Sequence, residues 1–313
     1  MSNYDQPDYR VFAEDAAVNL SFSRSRNPNP HPHPHPKDSP NTSGTEFTEE
    51  GTASGAGPEA IAPIVLLHGY CGSSQYWDAV VPLLAAEYDV IVPDLRGHGE
   101  SPAPEQQVYT MEQLADDTAA LLDRLGLSQA YVIGHSLGGY ATLAFAERHP
   151  GRLLGFGLVH STSLPDTDAG KEGRIKAADQ IRAEGVRPFV DGLIPKLFVQ
   201  EHQQRPDIAS QIAHAKEIGY GTSPRGAIGC AMGMRERPDR THVLQRTQLP
   251  VLLLAGERDE VIPPARRFPV ETRPNIMTAT LPDTGHMSMM EDPAACAQVL
   301  LDFLNRSRGS TRV

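Results

Sequence analysis

From Ile61 onward the chain alternates short apolar runs with amphipathic stretches, and this alternation restricts the fold more than any other feature. IAPIVLLHG is followed by a helical pattern near Trp77 to Ala86, and VIVPDL by MEQLADDTAALLDRLGL. QAYVIG is followed by a helical pattern over Tyr140 to Arg148, and then comes LLGFGLVHS. Apolar runs of this length suit strands buried on both faces, and helices supply the long connections that parallel strands need. The pattern predicts an α/β fold: a mostly parallel sheet with helices on both faces. The alternation stops near Ser161, resumes at LPVLLLAG (249–256) and IMTATLPD (276–283), and closes with the helix PAACAQVLLDFLNRS. Residues 59–161 and 249–308 are therefore expected to form the core. Residues 162–248 are mainly helical and polar with apolar anchors, and read as an inserted helical cap.

Ahead of the core, residues 1–22 contain VFAEDAAVNLSF, which predicts a strand or an edge hairpin. Residues 23–58 are nearly free of apolar side chains and rich in Pro, Gly, Ser and Thr, so they read as a low-complexity loop with no core and no catalytic role. Its His31, His33 and His35 alternate with proline and read as incidental to a polyproline-like surface segment rather than as a metal site. The 39 acidic and 28 basic side chains give a net charge of -11, which argues against nucleic acid and anionic membranes as partners. No apolar run approaches the roughly 20 residues needed to span a bilayer. The start MSNYDQPDYR lacks the basic and apolar regions of a signal peptide, so a cytoplasmic location is expected. Cys71, Cys230 and Cys296 are odd in number and stand at no metal-ligand spacing, as reduced thiols would. Nothing in the sequence sets an oligomeric state.

The chemistry concentrates at Gly134-His135-Ser136-Leu137-Gly138, where a strand pattern runs directly into a helix. A nucleophile on so tight a turn takes a strained backbone conformation, and the positions two before and two after it have no room for a side chain. Gly134 and Gly138 meet that need, and the free N–H groups of the helix behind Ser136 favour negative charge there. A serine hydroxyl needs a base, and the base needs an acid to hold its tautomer. His286, just past the last predicted strand, and Asp259, in the loop after the preceding one, complete the order Ser136, Asp259, His286. All three follow the carboxyl ends of strands, where open parallel sheets build their sites.

Together HGYCGSSQYW, DLRGHGESPAP, GHSLGG, GERDEVIP and GHMSMMEDP make the chain resemble the α/β-hydrolase superfamily over roughly Ile61 to Arg306. The resemblance implies an α/β-hydrolase fold in which His68 and Gly69 open the oxyanion loop. The backbone N–H groups of Tyr70 and Leu137 would then hold the developing oxyanion. It also implies structural roles for His68, His98 and His135. Residues 23–58 depart from the family, which has a short turn there. Cys71, near the oxyanion loop, reads as a packed thiol with no base of its own. A serine at the elbow disfavours members with an aspartate nucleophile, and Met287 stands where carbon-carbon bond hydrolases carry an aromatic residue.

The expected activity is hydrolysis of a small or medium carboxylic ester through an acyl-enzyme, with no metal and no cofactor. Rival expectations keep the triad but act on a thioester, lactone, amide or carbon-carbon bond, or transfer the acyl group to an alcohol. A small-molecule receptor without catalysis is the reading from another class. Phe189, Leu193, Phe198, Met232 and Met234 of the cap, with Met287, are the candidate substrate-binding residues. If they line the acyl site they form an apolar, adaptable wall. Such a wall favours butyryl or hexanoyl esters and rejects charged acyl groups, because no basic cluster is assigned to the pocket.

Overall fold

The computed structural model describes residues 20–25 and 62–310. Most of the hairpin expected over residues 1–22, and the prolyl histidines His31, His33 and His35, lie outside the described residues. In chain order the strands are β1 (Phe22–Ser25), β2 (Pro63–Leu67), β3 (Asp89–Pro93), β4 (Ala130–His135), β5 (Leu153–Val159), β6 (Val251–Gly256) and β7 (Ile276–Leu281). They form one sheet in the order β1-β3-β2-β4-β5-β6-β7. All neighbours are parallel except β1, which lies antiparallel on β3 with Phe22 opposite Pro93 and Ser25 opposite Val90. Ser23, Arg24 and Ser25, expected in the low-complexity loop, are thus part of the sheet. Their pairing rests on backbone bonds and on Arg24, whose Nε donates to Asp89 at 2.9 Å, so apolar content gives no sign of it.

Three helices connect the first core strands: α1 (Val81–Ala85), α2 (Met111–Arg124) and α3 (Leu137–Arg148). The start of α2 is a capping box, in which Thr110 Oγ1 accepts from the Gln113 N–H and Gln113 Oε1 accepts from the Thr110 N–H. The chain steps outward from β2 to β3 and then back across β2 to β4. Because parallel crossovers are right-handed, steps in opposite directions place α1 and α2 on opposite faces of the sheet. The loops after β2 and β4 consequently part at this reversal of strand order and leave a crevice at the carboxyl edge. That crevice receives Tyr70 from one loop and Ser136 from the other.

Between β5 and β6 the chain inserts α4 (Asp168–Glu184), α5 (Val186–Leu193), α6 (Pro206–Tyr220), α7 (Pro224–Glu236) and α8 (Thr241–Arg246). These helices are held to the carboxyl edge by specific contacts. The Tyr109 N–H donates to the Gly229 carbonyl at 2.9 Å, and Tyr70 Oη donates to the Ala227 carbonyl at 2.9 Å. A Cβ on Gly226 would stand 2.2 Å from the Gly97 carbonyl oxygen, so a glycine is needed where α7 crosses the loop after β3. The chain ends through α9 (Pro264–Arg267), β7, α10 (Ser288–Glu291) and α11 (Pro293–Ser310), with α11 packed beside α1. No helix among the described residues is long and apolar enough to cross a membrane.

Candidate active site

Ser136 sits between β4 and α3 with φ 49° and ψ -110°. A non-glycine residue at positive φ costs free energy and persists only where its surroundings over-determine it. Here those surroundings are two glycines. A Cβ on Gly134 would stand 2.1 Å from the Gly138 carbonyl oxygen, and one on Gly138 would stand 2.6 Å from the Leu67 carbonyl oxygen. The turn therefore closes against β2 and presents Ser136, which is partly exposed while its neighbours from Tyr131 to Tyr140 are buried.

His286 follows β7, and Asp259 follows β6. The His286 Nδ1–H donates to Asp259 Oδ2 at 2.9 Å, and both side chains are almost completely buried. The other carboxylate oxygen, Oδ1, accepts from the N–H groups of Val261 at 2.8 Å and Ile262 at 3.1 Å. Burial works against the Asp259 charge, but His286 and the hydrogen bonds outweigh it and hold the carboxyl well below the usual range. With Nδ1 committed to Asp259, Nε2 is the nitrogen of His286 left for proton transfer. Two other carboxylates that follow strands, Asp94 after β3 and Asp283 after β7, are engaged elsewhere. Asp94 accepts from the Ser74 and Glu100 N–H groups, and the exposed Asp283 pairs with His202 and Arg258.

The loop after β2, expected to hold the oxyanion, lies against the elbow, since a Cβ on Gly69 would be 3.4 Å from the Ser136 Cβ. Its shape is fixed by two histidines. His68 Nε2 accepts the Leu95 N–H at 2.9 Å, which leaves the proton on Nδ1 to reach the Gly69 carbonyl at 2.8 Å. His98 Nε2 accepts the Cys71 N–H at 3.3 Å, and its Nδ1–H donates to the Arg96 carbonyl at 3.1 Å. The N–H groups of Tyr70 and Leu137 have no acceptor among the described residues. Cys71 takes φ 53° in this loop, and burial pushes its thiol well above the ordinary range, so it is a packed thiol with no claim as a nucleophile.

Beside these residues lie His135, expected as structural, and His160 with Ser288, which have no distinctive sequence signal. His135, next to Ser136, donates from Nε2 to the His286 carbonyl at 2.9 Å, and its ring lies tilted against that of His286 with centroids 5.0 Å apart. His160, at the end of β5 with φ 48°, places Nε2 2.6 Å from Ser288 Oγ and Nδ1 3.4 Å from Asp259 Oδ2. Its Nδ1 accepts the Gly256 N–H at 3.1 Å, so its proton resides on Nε2 and points to Ser288. Asp259 is thus flanked by two histidines, bonded to His286 and in contact with His160, on whose far side lies Ser288. Only their position at the carboxyl edge, His160 just past a strand like Ser136, would have marked them. Ser288 and His160 are essentially inaccessible, whereas Ser136 is open to a ligand.

Burial lowers the pKa of four of these rings: His68 to about 4, His98 to about 3, and His135 and His160 in the same direction. Below the unfolded value near 6.5 the unfolded chain takes up protons that the native rings refuse, so stability falls as pH drops. The contribution is complete above about pH 6.5 and is lost toward pH 4, at up to about 1.4 kcal/mol per pH unit for each ring. The urea midpoint is expected to fall steeply between pH 6.5 and 4. A flat profile would show that these rings are solvated.

The candidate substrate residues are dispersed. Phe189 packs edge-on to Tyr70 with ring centroids 5.9 Å apart, which places it at the oxyanion loop. Leu193 is half-buried, and Phe198, Met234 and Met287 are buried in the core. Met232 faces a separate surface recess with Arg225, Ile228 and Val108, because the first three share the outer side of α7, against which Val108 of the loop before α2 lies. The insertion also supports the histidine loop. The His286 N–H donates to the Leu197 carbonyl at 2.8 Å, and Glu291 accepts from Gly285, Met287 and Val199. His160, Asp259 and His286 bring three potential ligand atoms within 4.8 Å, but each is already engaged in a hydrogen bond, a donor set suited to proton transfer.

Comparison with known proteins agrees with this architecture. Residues 62–293 match the family model described as the alpha/beta hydrolase fold. The chain is 31% identical over 255 residues to the dihydrolipoyllysine-residue acetyltransferase component of the acetoin cleaving system of Pseudomonas putida, covering 80% of this chain and 65% of that one. It therefore spans just under two thirds of that relative's length. It is 30% identical to a putative 2-succinyl-6-hydroxy-2,4-cyclohexadiene-1-carboxylate synthase of Bacillus subtilis, over 79% of this chain and 92% of that one. Among solved structures, a thermophilic esterase from Thermogutta terrifontis superposes with a TM-score of 0.78 at 28% identity, covering 95% of this chain and 98% of that one. The chain belongs to the α/β-hydrolase superfamily, with an esterase-type sheet and helices inserted between β5 and β6.

Proposed function

We propose that the protein is a serine hydrolase that cleaves a small carboxylic ester, with Ser136 as nucleophile, His286 as general base and acid, and Asp259 as the group that orients His286. The observation that carries this reading is the His286 Nδ1–Asp259 bond beside a strained, partly exposed Ser136. Ser136 Oγ attacks the substrate carbonyl as His286 Nε2 takes its proton. The Tyr70 and Leu137 N–H groups receive the oxyanion, already oriented, so stabilising it costs no reorganisation. His286 then protonates the departing alcohol, and in the second half it activates the water that cleaves the acyl-enzyme. The esterase among the structural relatives supports this bond, while the acetyltransferase and synthase names among the sequence relatives keep acyl transfer and other bonds as alternatives. The inserted helices are taken as the cap over the site, and the apolar wall is narrowed to Phe189 and Leu193.

The buried Ser288–His160 pair beside Asp259 is assigned a supporting role, because a substrate cannot reach a serine sealed from solvent. A fluorophosphonate probe is expected to label Ser136 alone, read by peptide mass spectrometry. Ser288→Ala leaves the His160 Nε2–H without its acceptor and is expected to cost about 1–3 kcal/mol of stability, with turnover reduced less than about tenfold. Labelling of Ser288, or loss of labelling in Ser288→Ala with Ser136 intact, would exchange the roles of the two serines.

A further inference from the structure

The sequence offers no basic cluster for the pocket, yet the fold assembles one from residues 63 positions apart. Tyr140 lies one turn beyond Ser136 on α3, and the Arg237 guanidinium stacks on its ring 3.9 Å from the centroid. Arg237 pairs with Asp166 Oδ1 at 2.8 Å and donates to the carbonyls of Met234 and Leu164. Arg174 of α4 approaches the same carboxylate from the other side, its Nε donating to Asp166 Oδ2 at 3.0 Å. Two guanidiniums thus share one carboxylate, and one positive charge is left over.

That surplus falls on Arg174. Arg237 is sealed, with 4% of its side chain exposed, whereas 25% of the Arg174 side chain remains open. The terminal amino groups of Arg174 have no hydrogen-bond partner among the described residues, and neither does the Tyr140 hydroxyl, which is not sealed from solvent. Burial works against the Arg174 charge, but Asp166 and the Tyr140 and Tyr70 hydroxyls outweigh it and raise its pKa. Tyr140 stands on the helix that begins behind Ser136, so the cluster borders the Ser136 crevice through the Arg237–Tyr140 stack.

Building on the serine-hydrolase reading, we propose that Arg174 is a specificity-determining residue that binds a carboxylate on the substrate, so that the enzyme prefers acyl substrates carrying a second, free carboxylate. The two terminal amino groups present the planar fork that pairs with both oxygens of a carboxylate. The Tyr140 hydroxyl is available to donate a third bond. This reverses the expectation that charged acyl groups are rejected, because the cation comes from a helix whose sequence is polar throughout and carries no pocket signature.

The test uses the full chain and monomethyl half-esters of straight dicarboxylic acids of four to eight carbons, each against the methyl ester of the monocarboxylic acid of equal length. Methanol release gives kcat/KM. At one or more lengths the half-ester is expected to exceed its neutral counterpart by about ten- to a hundredfold, the scale of charge-assisted bonds. Arg174→Gln should bring that ratio to about one, and Arg174→Lys should keep part of it. In parallel, the free dicarboxylic acids should protect Ser136 from the fluorophosphonate while the corresponding diamides do not. Neutral esters preferred at every length, equal protection by acids and diamides, or a ratio unchanged in Arg174→Gln would each overturn the proposal. A wild-type protein whose Ser136 is never labelled would instead sink the serine-hydrolase reading beneath it.

Discussion

Ser136→Ala is expected to fold as the parent does and to lose ester turnover by about a millionfold, the scale reached when a triad serine is removed. Alanine keeps the Cβ that the turn accommodates, and the Ser136 hydroxyl makes no cap bond, so the fold loses nothing with it. The donors at Tyr70 and Leu137 remain in place, and they account for the residual acceleration of about a thousandfold or more over water. The measurement is kcat/KM on a p-nitrophenyl ester, alongside a melting curve. Turnover within tenfold of the parent would remove Ser136 as nucleophile and direct attention to Ser288. A companion variant tests the backbone. Ser136→Gly should be equally inactive but more stable by about 1–3 kcal/mol, because glycine adopts positive φ without a side-chain clash. Catalysis and strain thereby separate at a single position.

Asp259→Asn is expected to reduce turnover by about ten-thousandfold with the fold retained. The reason lies in the two oxygens of the carboxylate. Oδ1 accepts from Val261 and Ile262, so an asparagine would keep its carbonyl oxygen there and turn its NH2 toward His286. His286 Nδ1 would then have to accept, its proton would move to Nε2, and the nitrogen facing the serine could no longer take a proton. Alanine at the same position is less diagnostic, because it also releases the two N–H groups. The Asp259 carboxyl is held well below its ordinary range, so its stabilising contribution is present above the unfolded value of about 3.9 and is lost only as pH falls below it. The asparagine defect therefore concerns tautomer rather than charge state at neutral pH. If Asp259→Asn turned over normally and Asp283→Asn did not, the acid would be misassigned. The exposed pairing of Asp283 with His202 and Arg258 argues for the reverse.

Much of this architecture is legible in order along the chain, because it depends on local periodicity and on backbone constraints that only certain residues meet. Apolar runs alternating with amphipathic stretches determine a parallel sheet, since strands buried on both faces must be apolar and their crossovers must be helices. Gly134 and Gly138 determine the elbow, because any Cβ there would meet backbone that cannot move aside. The order Ser136, Asp259, His286 on three loops past strand ends is likewise written in the sequence. The rest depends on contacts between distant segments, which no local pattern encodes. Ser23 to Ser25 join the sheet through backbone pairing with β3, and a backbone bond is available to any residue type. Met232 turns away from the site although its composition suits a pocket, because helix phase, not residue type, decides which way it faces. His160 meets Ser288 across 128 residues and Asp259 across 99, and Arg174 and Arg237, 63 apart, meet on Asp166, polar groups that had to find their partners in three dimensions. The sequence by itself determined the sheet, the elbow and the place of the candidate nucleophile. Only tertiary structure decided the direction of each hydrogen bond to Asp259 and the cluster of Arg174 and Arg237 on Asp166, because hydrogen bonds and ion pairs are satisfied by distance and direction, whereas periodicity records burial alone.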